Sequence, residues 1–141
     1  MEEGKAFCQT VLDRAKKMGA LYADIRLIPF SAAENISLKN GVVENLSYSE
    51  SAGFGVRVLV NVAWGFASSF SIDLKEIDRV VRLAVNIAKA SAVTLKRESV
   101  LSPITIWKGE RYVSPVQIDP FKVSREGKID LLIQADQVMR Q

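Results

Sequence analysis

An alternation of apolar and other residues between Gly53 and Ser69, GFGVRVLVNVAWGFASS, constrains the fold more than any other part of the sequence. Side chains on a β-strand point to opposite faces in turn, so Phe54 and every second residue through Val60 share one face. A turn near Asn61 then returns the chain as an antiparallel partner. The stretch therefore predicts a hairpin with one buried face.

Two glycines in this hairpin, Gly55 and Gly65, leave their positions without a side chain. Gly55 and Gly65 lower the stability of a strand, and they are tolerated where a bulge or a close backbone approach is needed. The simpler interpretation is a curved hairpin. The functional interpretation is a surface that lets another chain lie close to the sheet. The candidate residues for binding an extended peptide in a cleft are Gly53, Gly55, Arg57, Trp64 and Gly65.

Two amphipathic helices flank the alternating segments. Apolar residues at helical spacing predict the first over Glu2–Met18, with Gly19 as its C-terminal stop. The second begins at Asp73, an acidic N-cap in front of a long apolar stripe. Strands lie between them, and the first, ALYADIRLI, is expected to end at Pro29. The pattern predicts an α/β fold of the α+β type: a mainly antiparallel sheet of about four to six strands, with helices packed on one face.

Asn40–Gly41 predicts a second hairpin, because a type I′ turn needs positive φ at both central residues. Two registers remain open. A two-residue loop pairs Leu38 with Val43, whereas a three-residue loop brings Leu46 opposite Ile36.

After residue 98 three prolines interrupt a segment that is too apolar for a solvated linker. We divide the chain into an N-terminal domain, 1–98, and a connecting arm with a final helix, 99–141. The helix is predicted from Arg125 to Arg140. Large apolar side chains in the arm need a surface to bury against, which favours a homo- or hetero-oligomer or contact with a further domain. The candidate interface residues are Trp107, Tyr112, Val113, Ile118 and Phe121.

Composition limits the chemistry. The 141 residues contain no histidine and one cysteine, Cys8. The usual zinc ligand sets, a serine triad and a Cys/His pair are therefore excluded, while an all-carboxylate metal site stays open. Net charge is +3, but the basic residues form scattered pairs beside acids, so direct binding to nucleic acid is not expected. No apolar run reaches the roughly 18 residues of a membrane span, which favours a cytoplasmic protein without membrane contact.

Four segments in this order resemble the N-terminal region of the TldD/PmbA family: GALYADIRL, LKNGVVENLSYSESAGFGVRVLVNVAWGFASS, the long helix from Asp73, and RYVSPVQIDPF leading into KIDLLIQADQVMR. Members of that family look like two-domain zinc metallopeptidases and are also labelled modulators of DNA gyrase. The resemblance implies a zinc motif, His-Glu-x-x-x-His, C-terminal to the matched region, with the glutamate as general base. It implies no cofactor and no catalytic or metal residue within this segment.

The function implied by the resemblance is that of a non-catalytic substrate-cleft domain in a metallopeptidase that acts on peptides or small proteins. The N-terminal sheet would form one wall of the cleft, and Gly53–Ser69 would hold an extended peptide without cutting it. Residues 99–141 would lead toward the catalytic domain. Two alternatives remain, a stand-alone interaction or adaptor domain and a regulator associated with DNA gyrase.

Overall fold

The computed structural model describes residues 2–95, 97–103, 109 and 112–140. Within these ranges the strands form one sheet in the order β1-β2-β3, and β2 and β3 run antiparallel. The α+β class predicted from the sequence is confirmed. In chain order the elements are α1 (Glu2–Lys17), β1 (Tyr22–Lys39), β2 (Val42–Val60), β3 (Ala63–Ser69), α2 (Leu74–Thr94), a 3₁₀ turn (Pro120–Lys122) and α3 (Arg125–Met139).

The expected strand count was too high, because the described sheet contains three strands instead of four to six, and two of them, β1 and β2, have 18 and 19 residues. Segments that the sequence predicted as separate strands form continuous strands in the structure. β1 passes through Pro29 and continues to Lys39. Proline lacks a backbone N–H, yet an edge strand tolerates it where that position needs no partner. β1 lies at one edge of the strand order, which explains why Pro29 does not end it.

The helix ends follow local signals, of which Gly19 and Asp73 were predicted from the sequence and Ser124 was not. α1 stops just before Gly19, whose φ is +92°. Asp73 caps α2, because its carboxylate accepts a hydrogen bond from the Lys75 N–H at 2.9 Å. Ser124 caps α3 in the same way through the Gly127 N–H at 3.1 Å.

The turn between β1 and β2 has two residues, which is the first of the two registers left open by the sequence. β1 ends at Lys39 and β2 begins at Val42. Asn40 and Gly41 between them have φ values of 51° and 78°. Positive φ at both positions confirms the predicted type I′ hairpin.

The chain forms two compact units, unit 1 (Met1–Ser31 with Glu50–Ser102) and unit 2 (Ala32–Ser49 with Pro103–Gln141). β1 and β2 each contribute residues to both units. The functional division near residue 98 remains a prediction.

The core of unit 1 lies between the two helices and one face of the sheet. Phe7 of α1 contacts Phe54 of β2 edge to face, with ring centroids 5.0 Å apart. Burial of one Val, Ile or Phe side chain contributes about 1.5–3 kcal/mol, so this cluster fixes α1 and α2 to the sheet. Its buried members are Phe7, Val11, Ala15, Phe54, Val56, Val58, Val60, Ala67, Ile77, Val80, Val81, Ala84, Val85 and Ala88.

Candidate functional site

The face of the unit 1 sheet that the helices leave uncovered carries a groove of about 510 Å³. All three strands contribute to it, together with Phe70 just after β3. We call it the open-face groove and define it by Arg26, Ile28, Gly53, Gly55, Phe66 and Phe70. Three residues of the predicted peptide-binding set, Gly53, Gly55 and Arg57, line it.

Two glycines of β2 face the open-face groove, and neighbouring groups fill the space that their side chains would occupy. A Cβ at Gly53 would lie 2.6 Å from the Ser69 carbonyl oxygen and 3.2 Å from the Phe70 Cα atom. A Cβ at Gly55 would lie 2.9 Å from ring carbons of Phe66. Gly53 thus permits a close approach of the chain after β3, and Gly55 lets the Phe66 ring lie across β2.

Arg57 is held in place beside these glycines. Its Nε donates a hydrogen bond to Asp24 Oδ2 at 2.8 Å, and its Nη2 lies 2.7 Å from the same oxygen. The Asp24 carboxylate raises the pKa of Arg57, so the guanidinium stays charged. The guanidinium carbon of Arg57, Cζ, lies 4.9 Å from the centroid of the Trp64 ring. Tyr22 meets that ring edge to face at 5.7 Å. Trp64 therefore supports Arg57 from the side and does not line the groove.

The walls of the groove combine exposed aromatic rings with a second cation. Phe66 is 56% exposed and Phe70 is 88% exposed. Arg26 of β1 is also exposed, and no ion pair joins it to another residue in the described part of the chain. The set of peptide-binding residues predicted from the sequence did not include Arg26, Ile28, Phe66 or Phe70. The alternation of β1 did place Arg26 on the same face as Asp24.

Gly65 lies on the opposite face of β3 from the groove. It pairs with the buried Val58 and is itself buried. A Cβ there would stand 2.6 Å from the Ala88 backbone nitrogen and would also meet the Ala84 carbonyl oxygen. The structure thus gives Gly65 a packing role against α2, and it is left out of the groove.

The predicted interface residues fall in the arm, where Trp107 lies outside the described residues. Tyr112, Val113 and Ile118 are 85%, 66% and 72% exposed. Phe121 lines a cavity of about 430 Å³ within unit 2, together with Glu34, Leu131 and others. Their role in an oligomer stays a prediction.

Glu34 anchors α3 to β1 inside unit 2. Its side chain is 12% exposed, and it accepts hydrogen bonds from Lys128 Nζ at 2.5 Å and Arg125 Nε at 3.3 Å. The hydrogen bond from Lys128 is the main cause that lowers the pKa of Glu34. These contacts form a structural clamp rather than a reactive site.

The described residues offer neither a group of metal ligands nor an activated cysteine nucleophile. Among the described residues, no three His, Cys, Asp or Glu side chains come together as possible metal ligands. The residues that the structure describes therefore do not form a site for zinc. Burial raises the pKa of the half-buried Cys8 thiol, which disfavours the reactive thiolate. In the same ranges, no helix has the length and apolar character to cross a bilayer.

Residues 30–88 match the family model described as PmbA/TldA metallopeptidase domain 1. This chain carries the first domain of the PmbA/TldD family. A protein named as a metalloprotease from Methanocaldococcus jannaschii is 33% identical over 114 residues, which cover 79% of this chain and 24% of that protein. This PmbA/TldD chain thus spans about a quarter of the length of that relative.

Two solved structures share the fold of this PmbA/TldD domain. A protein described as a modulator of DNA gyrase, from Bacteroides thetaiotaomicron, has a TM-score of 0.67 at 18% identity, covering 93% of this chain and 29% of its own. TldE from Thermococcus kodakarensis has a TM-score of 0.62 at 12% identity, covering 95% of this chain and 29% of its own. At these identities the similarity establishes the fold alone.

Proposed function

We propose that this chain is the N-terminal, non-catalytic substrate-binding part of a PmbA/TldD metallopeptidase that acts on peptides or small proteins. In this proposal the open-face groove holds an extended peptide segment. The observation that carries the proposal is a groove over the glycines of β2, Gly53 and Gly55, whose surface includes the exposed rings of Phe66 and Phe70.

An extended peptide suits this surface for two physical reasons. Because Gly53 and Gly55 carry no side chains, the Phe70 main chain and the Phe66 ring lie close to β2, and an extended ligand can lie along the low surface that they form. Exposed aromatic rings beside a few polar groups are typical of binding sites, because a ligand that covers them removes apolar surface from water. Covering one large apolar side chain contributes at most about 1.5–3 kcal/mol, so Phe66 and Phe70 can supply much of a modest affinity.

The proposal assigns peptide hydrolysis to the part of the longer protein that this chain does not contain. The relative named as a metalloprotease extends well beyond the matched region, since the match covers 24% of its length. Any zinc would be held there. The exposed arm residues Tyr112, Val113 and Ile118 would contact that part or another subunit.

Peptide binding to the 141-residue chain tests the proposal. The probe is a heptapeptide of alternating Leu and Gln, blocked at both ends and carrying a neutral fluorophore, and the readout is fluorescence anisotropy. We expect saturable binding that Phe66→Ala weakens about fivefold, a loss of roughly 1 kcal/mol. The matched control is Val93→Ala on α2, a side chain that is 85% exposed and outside the groove.

Two results would refute the proposal. The first is the absence of saturable binding by the wild-type chain. The second is an equal loss of affinity in Phe66→Ala and Val93→Ala, since the contact would then not be at the groove. Circular dichroism of each variant establishes that it is folded.

A further inference from the structure

We infer that the open-face groove selects peptides with an acidic side chain, which Arg26 binds. This selectivity rests on the peptide-binding function proposed above and names the class of peptide. The occupant is an extended segment with a carboxylate side chain over Arg26 and an apolar side chain against Phe66 or Phe70.

The charges of the groove favour an anionic group. Three charged residues line it, namely Asp24, Arg26 and Arg57. Asp24 is already engaged by Arg57 through contacts of 2.8 and 2.7 Å. Arg26 is left exposed, with no ion pair to any residue that the structure describes. The lining thus carries one unbalanced positive charge, and that charge belongs to Arg26.

The position of Arg26 fits a ligand that is both acidic and apolar. β1 and β3 lie on opposite sides of β2, so Arg26 belongs to one side of the groove and Phe66 to the other, from which its ring extends over Gly55. An extended segment that crosses the groove can contact both Arg26 and the Phe66 ring. Guanidinium is suited to a carboxylate because its N–H groups form a planar fork that can donate two parallel hydrogen bonds.

A matched pair of peptides isolates this interaction. Both are blocked heptapeptides of alternating Leu and polar residues with a neutral fluorophore; one has Glu at the centre and the other Gln. Because both ends are blocked, the central side chain carries the only carboxylate. At low ionic strength we expect the Glu peptide to bind the 141-residue chain about three- to fivefold more tightly, the range of an exposed ion pair.

Arg26→Gln should abolish the preference and leave the affinity for the Gln peptide unchanged. Arg82→Gln removes the same charge from an exposed position on α2 and should retain the preference. Equal affinities of the two peptides for the wild-type chain would overturn the inference while leaving peptide binding intact. A preference that survives in Arg26→Gln would also overturn it. Failure of both peptides to bind would refute the proposed function itself.

Discussion

Gly65 of β3 lies directly against the main chain of Ala84 in α2. A Cβ at position 65 would meet the Ala84 carbonyl oxygen and would stand 2.6 Å from the Ala88 nitrogen. Both groups are helix backbone, which cannot rotate away as a side chain can. The spacing between α2 and the sheet therefore depends on the missing side chain at this position.

Gly65→Ala should lower the free energy of unfolding by about 1–3 kcal/mol, because the helix must shift away from the sheet. Urea denaturation followed by circular dichroism measures the loss. Gly4→Ala is the control, since a Cβ there makes an ordinary contact of 3.5 Å with Leu27 Cδ2. Alanine is the better helix former, so that variant should be as stable as wild type or up to about 1 kcal/mol more stable. Wild-type stability in Gly65→Ala would show that the close approach is absent.

Asp24→Asn should increase the affinity for an acidic peptide about two- to threefold, because it removes the one anion of the groove and leaves Arg57 without a charged partner. Stability should change by less than about 1 kcal/mol, since the side chains are 38% and 54% exposed. Anisotropy with the Glu heptapeptide gives the affinity, and the gain should fade at high salt.

Asp13→Asn is the matched control for Asp24→Asn. It removes the same charge from an exposed position on α1, away from the groove. An equal gain in both variants would attribute the effect to net charge and not to Arg57.

The clamp at Glu34 should open in acid. The pKa of Glu34 is lowered in the folded state, chiefly by the hydrogen bond from Lys128. Its stabilising contribution is therefore present above the ordinary carboxyl pKa of about 4.3 and is lost as pH falls below that value through the folded pKa. Hydrogen exchange should show α3 losing protection over this range, after correction for the intrinsic exchange rate.

Glu34→Gln should show reduced protection of α3 already at neutral pH, and the dependence on acid should largely disappear. Glu44→Gln is the control, because Glu44 is 59% exposed and lies 4.0 Å from Lys39 in a weak ion pair. If α3 keeps the same protection in Glu34→Gln as in Glu44→Gln, the clamp does not hold the helix.

Helix ends and tight turns could be predicted from the sequence because their causes are local. Asp73, Gly19 and Asn40–Gly41 each act on the backbone next to them. The extent of the strands could not be predicted in the same way. Whether Pro29 ends a strand depends on what faces its nitrogen, and that depends on the place of β1 in the sheet.

The groove was predicted only in part, for a related reason. Alternation along β2 placed Gly53, Gly55 and Arg57 together, and they line one groove. Gly65 was grouped with them although it lies on the other face. The turn at Asn61 pairs Val60 with Ala63. In the same antiparallel register, Gly65 pairs with the core residue Val58. Arg26 and Phe66 enter the site only when the order of the three strands is known.

Chemical-shift mapping of the ¹⁵N-labelled 141-residue chain with the blocked Glu heptapeptide tests the central claim most directly. The open-face groove predicts perturbed amides in three segments, 24–28, 53–57 and 66–70, and their loss in Phe66→Ala. It predicts little change at the exposed surfaces of α1 and α2. Perturbations concentrated on those helices, or none at saturating peptide, would contradict the assignment of the groove as a peptide-binding site.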